Sequence, residues 1–270
     1  MPGQPRVLVV TKGHPFEREP FFTMWDELGI DWTHVEQPAA LALFDPDHAR
    51  PFDAFVLYDM PGIRFQRGQA PTFEPPPVRF VTDLHALLEQ GKPMLVLHHA
   101  AAAWPAWEGW AELVGARFHY QPGVLDGREW PDSGYRMDVK HRIRAVADHP
   151  VTAGAAELAP DGFELEDELY LWPVLEDSVT PLFRSDADFR AAAYQAAGEA
   201  IGAPSTAPGE WTHPDGSDLV GWVKTAGRSP LVYLQFGHGP ATWVDPVFRR
   251  VVGDAITWLT SDPARAWADS

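Results

Sequence analysis

Gly91-Lys92-Pro93-Met94-Leu95-Val96-Leu97-His98-His99-Ala100 is a turn, a short apolar run and a polar end. Gly91 and Pro93 punctuate the chain, and Met94 to Leu97 has the length and bounding of a buried strand. Small residues follow, Ala100 to Ala103, and Trp104-Pro-Ala-Trp107 reads as the start of a helix with proline in its first turn. The two histidines therefore sit where a buried strand hands over to a helix. In open α/β sheets, ligands bind at those carboxyl ends.

Working outward, the same grammar repeats. Arg6 to Val10 is an apolar strand closed by Thr11-Lys-Gly-His14. This is not a GxGxxG fingerprint, so no nucleotide cofactor is inferred. A helix is predicted over 16–28, strands over Asp31–Val35 and Ala54–Tyr58, and a long Gly/Pro-rich loop near the site end over Met60–Pro77. Val81, Leu84, Leu87 and Leu88 recur at helical spacing, so Val78–Gln90 is an amphipathic helix stopped by Gly91. Trp107–Val114 is a helix ended by Gly115. Alternation between Ala116 and Val146 predicts half-exposed strands at a sheet edge. His149–Thr152 reads as a turn or short helix, Asp161–Tyr170 as an acidic stretch, and Val179–Phe183 as a strand. Ala187–Pro214 is expected to be a mobile loop. Leu219–Lys224 and Leu231–Phe236 are paired strands, and Asp245 with Pro246 opens the last helix. The class is α/β, in one domain over 1–270.

Composition bounds the chemistry. The 270 residues are 45% hydrophobic and 22% charged, with formal charge 21 − 38 = −17. That charge argues against nucleic acid and anionic membranes as partners. The absence of cysteine excludes disulfides, thiolate-bound zinc and a thiol nucleophile. No basic-then-apolar leader or long apolar span is read, so a cytoplasmic location is expected. There is no GxSxG elbow and no Walker motif.

Three histidines follow three predicted strand ends: His14, one of His98 and His99, and His238 in Gln235-Phe-Gly-His-Gly239. Parallel strands bring such ends to one rim. Strand alternation lets only one of His98 and His99 face the cleft, and which one stays open. His14, His98, His99 and His238 are candidate ligands of a divalent metal, zinc or similar. His99 and His238 are the candidate acid/base residues. Glu168, within Asp167-Glu-Leu-Tyr170, is a candidate orienting group or second base. Trp104, Trp107, Asp167 and Tyr170 are candidate substrate-binding residues; the two tryptophans share a face if helical.

These pieces together resemble the ThuA-like, or trehalose-utilisation, family. They are Thr11–His14, Gly91–His99, Trp107–Phe118, His149–Thr152, Asp167–Tyr170, and Phe236-Gly-His238 before Trp243. The resemblance implies a class I glutamine-amidotransferase-like fold. This is a flavodoxin-like three-layer α/β/α sandwich, with a mainly parallel central sheet and antiparallel edge additions. Amidotransferases carry a nucleophilic cysteine at the strand–helix elbow, where this chain has His98-His99. The resemblance also implies sugar catabolism, with a 3-keto-glycoside or 3-keto-disaccharide as substrate. A ketone at C3 acidifies the C2 proton, and the enolate can expel the glycosidic oxygen at C1. Hydrolysis, elimination and isomerisation remain open. The alternatives are a non-catalytic carbohydrate-binding or regulatory protein, motivated by twelve tryptophans, and an assembly subunit forming a homo-oligomer.

Overall fold

The computed structural model describes residues 4–66, 69–207 and 209–270. In chain order the strands are β1 (Arg6–Lys12), β2 (Asp31–Glu36), β3 (Ala54–Asp59), β4 (Ile63–Gln66), β5 (Gln69–Phe73), β6 (Met94–Leu97), β7 (Gly123–Leu125), β8 (Arg128–Trp130), β9 (Gly134–Ala145), β10 (Phe163–Leu171), β11 (Thr180–Ser185), β12 (Gln195–Ala196), β13 (Leu219–Ala226) and β14 (Ser229–Leu234). The helices are α1 (Arg18–Glu27), α2 (Pro46–Ala49), α3 (Val78–Glu89), α4 (Glu108–Val114), α5 (Pro150–Leu158), α6 (Ala197–Ala200), α7 (Pro240–Trp243), α8 (Pro246–Leu259) and α9 (Asp262–Ala268). None of the described helices is long and apolar enough to cross a membrane.

Strands β14, β6, β3, β1 and β2 lie side by side and parallel. Beyond β14 the sheet continues through β13, β11, β9 and β10, each antiparallel to its neighbour. Alternate side chains of β1 feed two cores. Val7 and Val9 pack with Phe21 and Trp25 of α1 and Val251 and Ala255 of α8. Leu8 and Val10 pack with Phe80 and Leu84 of α3 and Trp110 of α4. Burying both faces of a parallel sheet requires such near-continuous apolar runs. The result is the expected flavodoxin-like three-layer sandwich with antiparallel additions. Asp245 caps α8 by accepting from the N–H groups of Val247 (2.8 Å) and Phe248 (2.9 Å).

Four expectations change. Met60–Pro77 contains the β4–β5 hairpin rather than only loop, although 67 and 68 lie outside the described residues. β9 is not an edge strand: β10 and β11 flank it, and β10 is the edge. The acidic stretch thus became a strand because its charged and apolar residues alternate against a partner. The segment from Ala187 to Pro214 carries short elements with buried Ala196, Ala197 and Ile201, apart from residue 208, which is not described. The helix after the His-His pair starts at Glu108, and His98–Ala102 forms its own tight 3-10 turn.

Gly13 turns the chain after β1 with φ of +99°, and a Cβ there would lie 2.2 Å from the carbonyl oxygen of Met60. A methyl group must displace backbone of the neighbouring strand's exit. Gly13→Ala is expected to cost about 3 kcal/mol in denaturant unfolding. Gly127→Ala, at φ of +69° with open space around it, is expected to cost about 1 kcal/mol. Equal costs at the two positions would refute the steric account.

Candidate active site

The carboxyl ends of β1, β6 and β14 bring three histidine-bearing turns to one rim. β3, between β1 and β6, adds Tyr58. His98 takes φ of +49°, a left-handed conformation that is strained for a residue with a side chain and marks sites held by their surroundings. The strand stops at Leu97, so alternation no longer applies, and both imidazoles reach the site. His99 lines an inner cavity, whereas His98 is fully buried and meets the site only through its ring nitrogens, so one of the pair faces a cavity, as expected.

His98 is the hub. Its Nδ1 faces the carbonyl oxygen of Gln235, which can only accept, so Nδ1 carries the proton and a neutral ring has a bare Nε2. That Nε2 lies 2.8 Å from Glu168 Oε2, 3.0 Å from His238 Nδ1 and 2.9 Å from the Tyr170 hydroxyl. Glu168 Oε2 is 3.1 Å from His238 Nδ1 and accepts from Tyr170 at 3.0 Å. The tyrosine has one proton to give, which leaves several lone pairs converging on one point.

Two backbone devices hold this arrangement. β10 is bulged against β9 between Asp167 and Leu169, so Asp167 and Glu168 are both buried, whereas Glu164 and Glu166 point out. Bulges re-aim side chains in this way. Asp167 then spends its carboxylate on three backbone N–H groups and one hydroxyl. Oδ2 accepts from Gly237 N–H and the Thr242 hydroxyl, each at 2.7 Å, and Oδ1 from the N–H groups of His238 (3.0 Å) and Glu168 (2.8 Å). Its carboxylate anchors the turn bearing His238, and Asp167 also lines an outer cavity. Tyr58 donates to the His238 carbonyl at 2.9 Å from the other side.

Electrostatics follow the contacts. Burial pushes the Glu168 acid up, but the cationic forms of His238 and His98, which put a proton on the nitrogen facing Oε2, outweigh it and hold the carboxyl below its usual range; the lone pairs converge only once an ion has displaced those two protons. Burial pulls His238 down, yet the bond to and charge of Glu168 win, and its pKa rises. Burial and repulsion from His98 push His14 down to about 4. Burial and repulsion from His14 and His98 push His99 lower than usual as well. These two rings are neutral near pH 7. They stack with centroids 4.4 Å apart. His14 Nδ1 donates to the Pro15 carbonyl at 2.8 Å, leaving its Nε2 as an acceptor. His99 is 2% exposed, and its Nδ1 has no hydrogen-bond partner among the described residues.

Among the described residues, His98, Glu168 and His238 form the one cluster able to hold a metal. Its edges of 2.8, 3.0 and 3.1 Å suit adjacent positions around an ion with bonds of about 2.1 Å, for which the spacing is roughly 3.0 Å. Two histidines and one carboxylate with open positions form a common divalent-ion triad. The converging lone pairs thus fit a cation. His14 and His99 fall outside this set.

Two cavities flank the cluster and share Glu168. The inner one, about 190 Å³, is walled by His14, His99, Phe118, Tyr120 and Tyr170. The outer, about 500 Å³, is walled by Glu17, Asp138, Glu166, His238 and Trp243. Trp104 and Trp107 line neither. Neither is helical: Trp104 is buried with its ring 5.3 Å from Phe80, and Trp107 precedes α4. Tyr58, Tyr120, Phe118 and Asp138 escaped the sequence reading. The nearest signal was the prediction of a loop beside the site from Met60, which supplies Met60 and Phe65 to the inner wall.

Residues 6–259 match the family ThuA, described as trehalose utilisation. The chain belongs to the ThuA family. Two solved ThuA-like proteins share the fold. One, from Parabacteroides merdae, is 12% identical with a TM-score of 0.63 over 96% of this chain and 91% of that one. Another, from Bacteroides uniformis, is 16% identical with a TM-score of 0.60 over 96% and 93%. A glutamine amidotransferase from Thermotoga maritima superposes more loosely, at 13% identity and a TM-score of 0.46, over 96% of this chain and 100% of that one. No curated protein matches the chain. ThuA membership associates the protein with sugar metabolism.

Proposed function

We propose that this ThuA protein is an enzyme that removes the C2 proton of a 3-keto-glycoside and lets the C1–O glycosidic bond break. The observation that carries the reading is the His98–Glu168–His238 triangle, set between two cavities and beside neutral His14. A divalent ion held by those three residues would polarise the C3 ketone and offset the enolate charge.

The chain's own groups supply the remainder. His14, neutral with a free Nε2, takes the proton from C2 and returns it to the departing glycosidic oxygen, so the proton count closes within elimination. Its low basicity suits the second half of that exchange. The Tyr170 hydroxyl, held at 3.0 Å by Glu168, offers a hydrogen bond where negative charge develops. Water adding across the C1–C2 double bond completes hydrolysis.

The protein offered a 3-keto-disaccharide is expected to release free sugars, to lose that activity after chelation, and to regain it with one divalent ion. Elemental analysis of untagged protein should find about one such ion per chain. No release with any divalent ion added would refute the reading.

A further inference from the structure

His14, Glu168 and Tyr170, the side chains given roles in the reaction, meet in the inner cavity. The reacting ring therefore lies there. Most of the wall is the rim of the sheet, but Ala200 and Ile201 belong to α6 and the turn that follows it. A single turn of helix does not hold itself in place. The chain between β8 and β9 holds this one. Asp132 and Ser133 in that junction are fully buried. Asp132 Oδ2 accepts from the Gly198 N–H at 3.1 Å, and Oδ1 from the Ser205 hydroxyl at 2.6 Å. The Asp132 carbonyl accepts from Trp211 Nε1 at 3.1 Å, and the Ser133 carbonyl from the Ala197 N–H at 2.7 Å. The approach is so close that a Cβ at Gly198 would lie 3.0 Å from Asp132 Oδ2. Both donors to the carboxylate thus come from the segment that roofs the cavity. A buried carboxylate is costly to strip of its donors, so lifting the roof is opposed by what Asp132 would lose.

We propose that Asp132 is a positioning residue that keeps α6 shut over the inner cavity, so that the unsaturated ring left by elimination stays until water adds to it. The proposal rests on the reaction assigned above. In elimination, C2 gives its proton to His14, and the C2–H electron pair becomes the second bond between C1 and C2. The C1–O pair leaves with the glycosidic oxygen, which takes the proton. A double bond conjugated with the C3 ketone remains. Water then restores a hydroxyl at C1 and a hydrogen at C2. A ring that escapes before this step carries the double bond away. The ratio of escaped enone to free 3-keto sugar therefore reports closure, and it does not depend on how much of a variant is folded.

Both products are counted in one assay of a 3-keto-disaccharide, the enone by its ultraviolet absorbance. The native enzyme is expected to release chiefly free sugar. The initial enone-to-sugar ratio should rise at least about tenfold in Asp132→Ala, the loss expected for hydrogen bonds to a charged group. Ser205 is exposed, so Ser205→Ala cuts one tie without disturbing the core and should raise the ratio several-fold. Asp132→Asn, which still accepts at one atom, should fall between the native enzyme and Asp132→Ala. Should Asp132→Ala not fold, Ser205→Ala decides alone. An unchanged ratio in these variants, even with slower turnover, would make the clasp merely structural and overturn the proposal. Enone as the chief product of the native enzyme would overturn it too, while leaving C1–O cleavage standing. Neither product from the native enzyme would overturn the assigned reaction and the proposal with it.

Discussion

Glu168→Gln is expected to lower turnover of a 3-keto-disaccharide by about 10²- to 10⁴-fold and to abolish binding of the proposed divalent ion. Glutamine keeps the shape of the side chain and removes only the charge. The native Oε2 meets His98 at 2.8 Å, Tyr170 at 3.0 Å and His238 at 3.1 Å. The amide can still accept at one atom. It cannot offset a cation between two imidazoles, and it presents N–H groups where ligands must present lone pairs. The fold should survive above neutral pH, because both rings can shed their protons once the anion is gone. In acid the variant should be less stable than the native protein, since buried imidazolium would then face no counter-charge. Glu164→Gln is the matched control. It lies on the same strand but faces solvent, pairing with Arg142 at 2.7 Å, and should change turnover by less than about twofold. Native-like turnover in Glu168→Gln would remove the central carboxylate from the chemistry.

The two variants differ in effect because of the bulge in β10, and that bulge marks the boundary of what the sequence discloses. β1, β3, β6 and β14 are legible because each is a short apolar run buried on both faces and closed by a polar turn. Their parallel order then brings His14, His98, His99 and His238 to one rim. The roles within the rim are not legible. Alternation predicts one cleft-facing residue of His98 and His99 but not which: His99 lines the inner cavity, and the left-handed backbone at His98 turns its fully buried ring onto Glu168 and His238. Alternation along β10 would likewise send Asp167 and Glu168 to opposite faces. Their shared burial depends on the register against β9, a partner some thirty residues away. The walls of the inner cavity, Phe118, Tyr120 and Tyr135, come from a region whose strand pattern is plain and whose neighbours are not. The tryptophans show the converse. A large amphipathic ring fits core and sugar surface alike, and only packing decides between them.

Asp59→Asn is expected to stabilise the protein near pH 8 by up to about 4 kcal/mol and to change little in acid. Asp59 ends β3 and is 4% exposed. Its carboxylate accepts from Gln37 Nε2 at 2.7 Å, and the Gln37 Oε1 has no hydrogen-bond partner among the described residues. Burial, only partly offset by that bond, pushes the acid from 3.8 up to about 7. Between those values the folded chain holds a proton that the unfolded chain has released. Folding stability therefore falls as pH rises from about 4 to 7, and the loss is complete above the folded-state value. Asparagine carries no charge to desolvate, and it brings an N–H donor that Gln37 Oε1 can accept once the amide turns. The expected signature is a pair of denaturant-unfolding series that nearly coincide at pH 4, diverge through pH 5 to 7, and stay apart above it. Parallel series with a constant offset would mean that Asp59 ionises as freely in the fold as in water, and that the end of β3 is wetter than its burial implies.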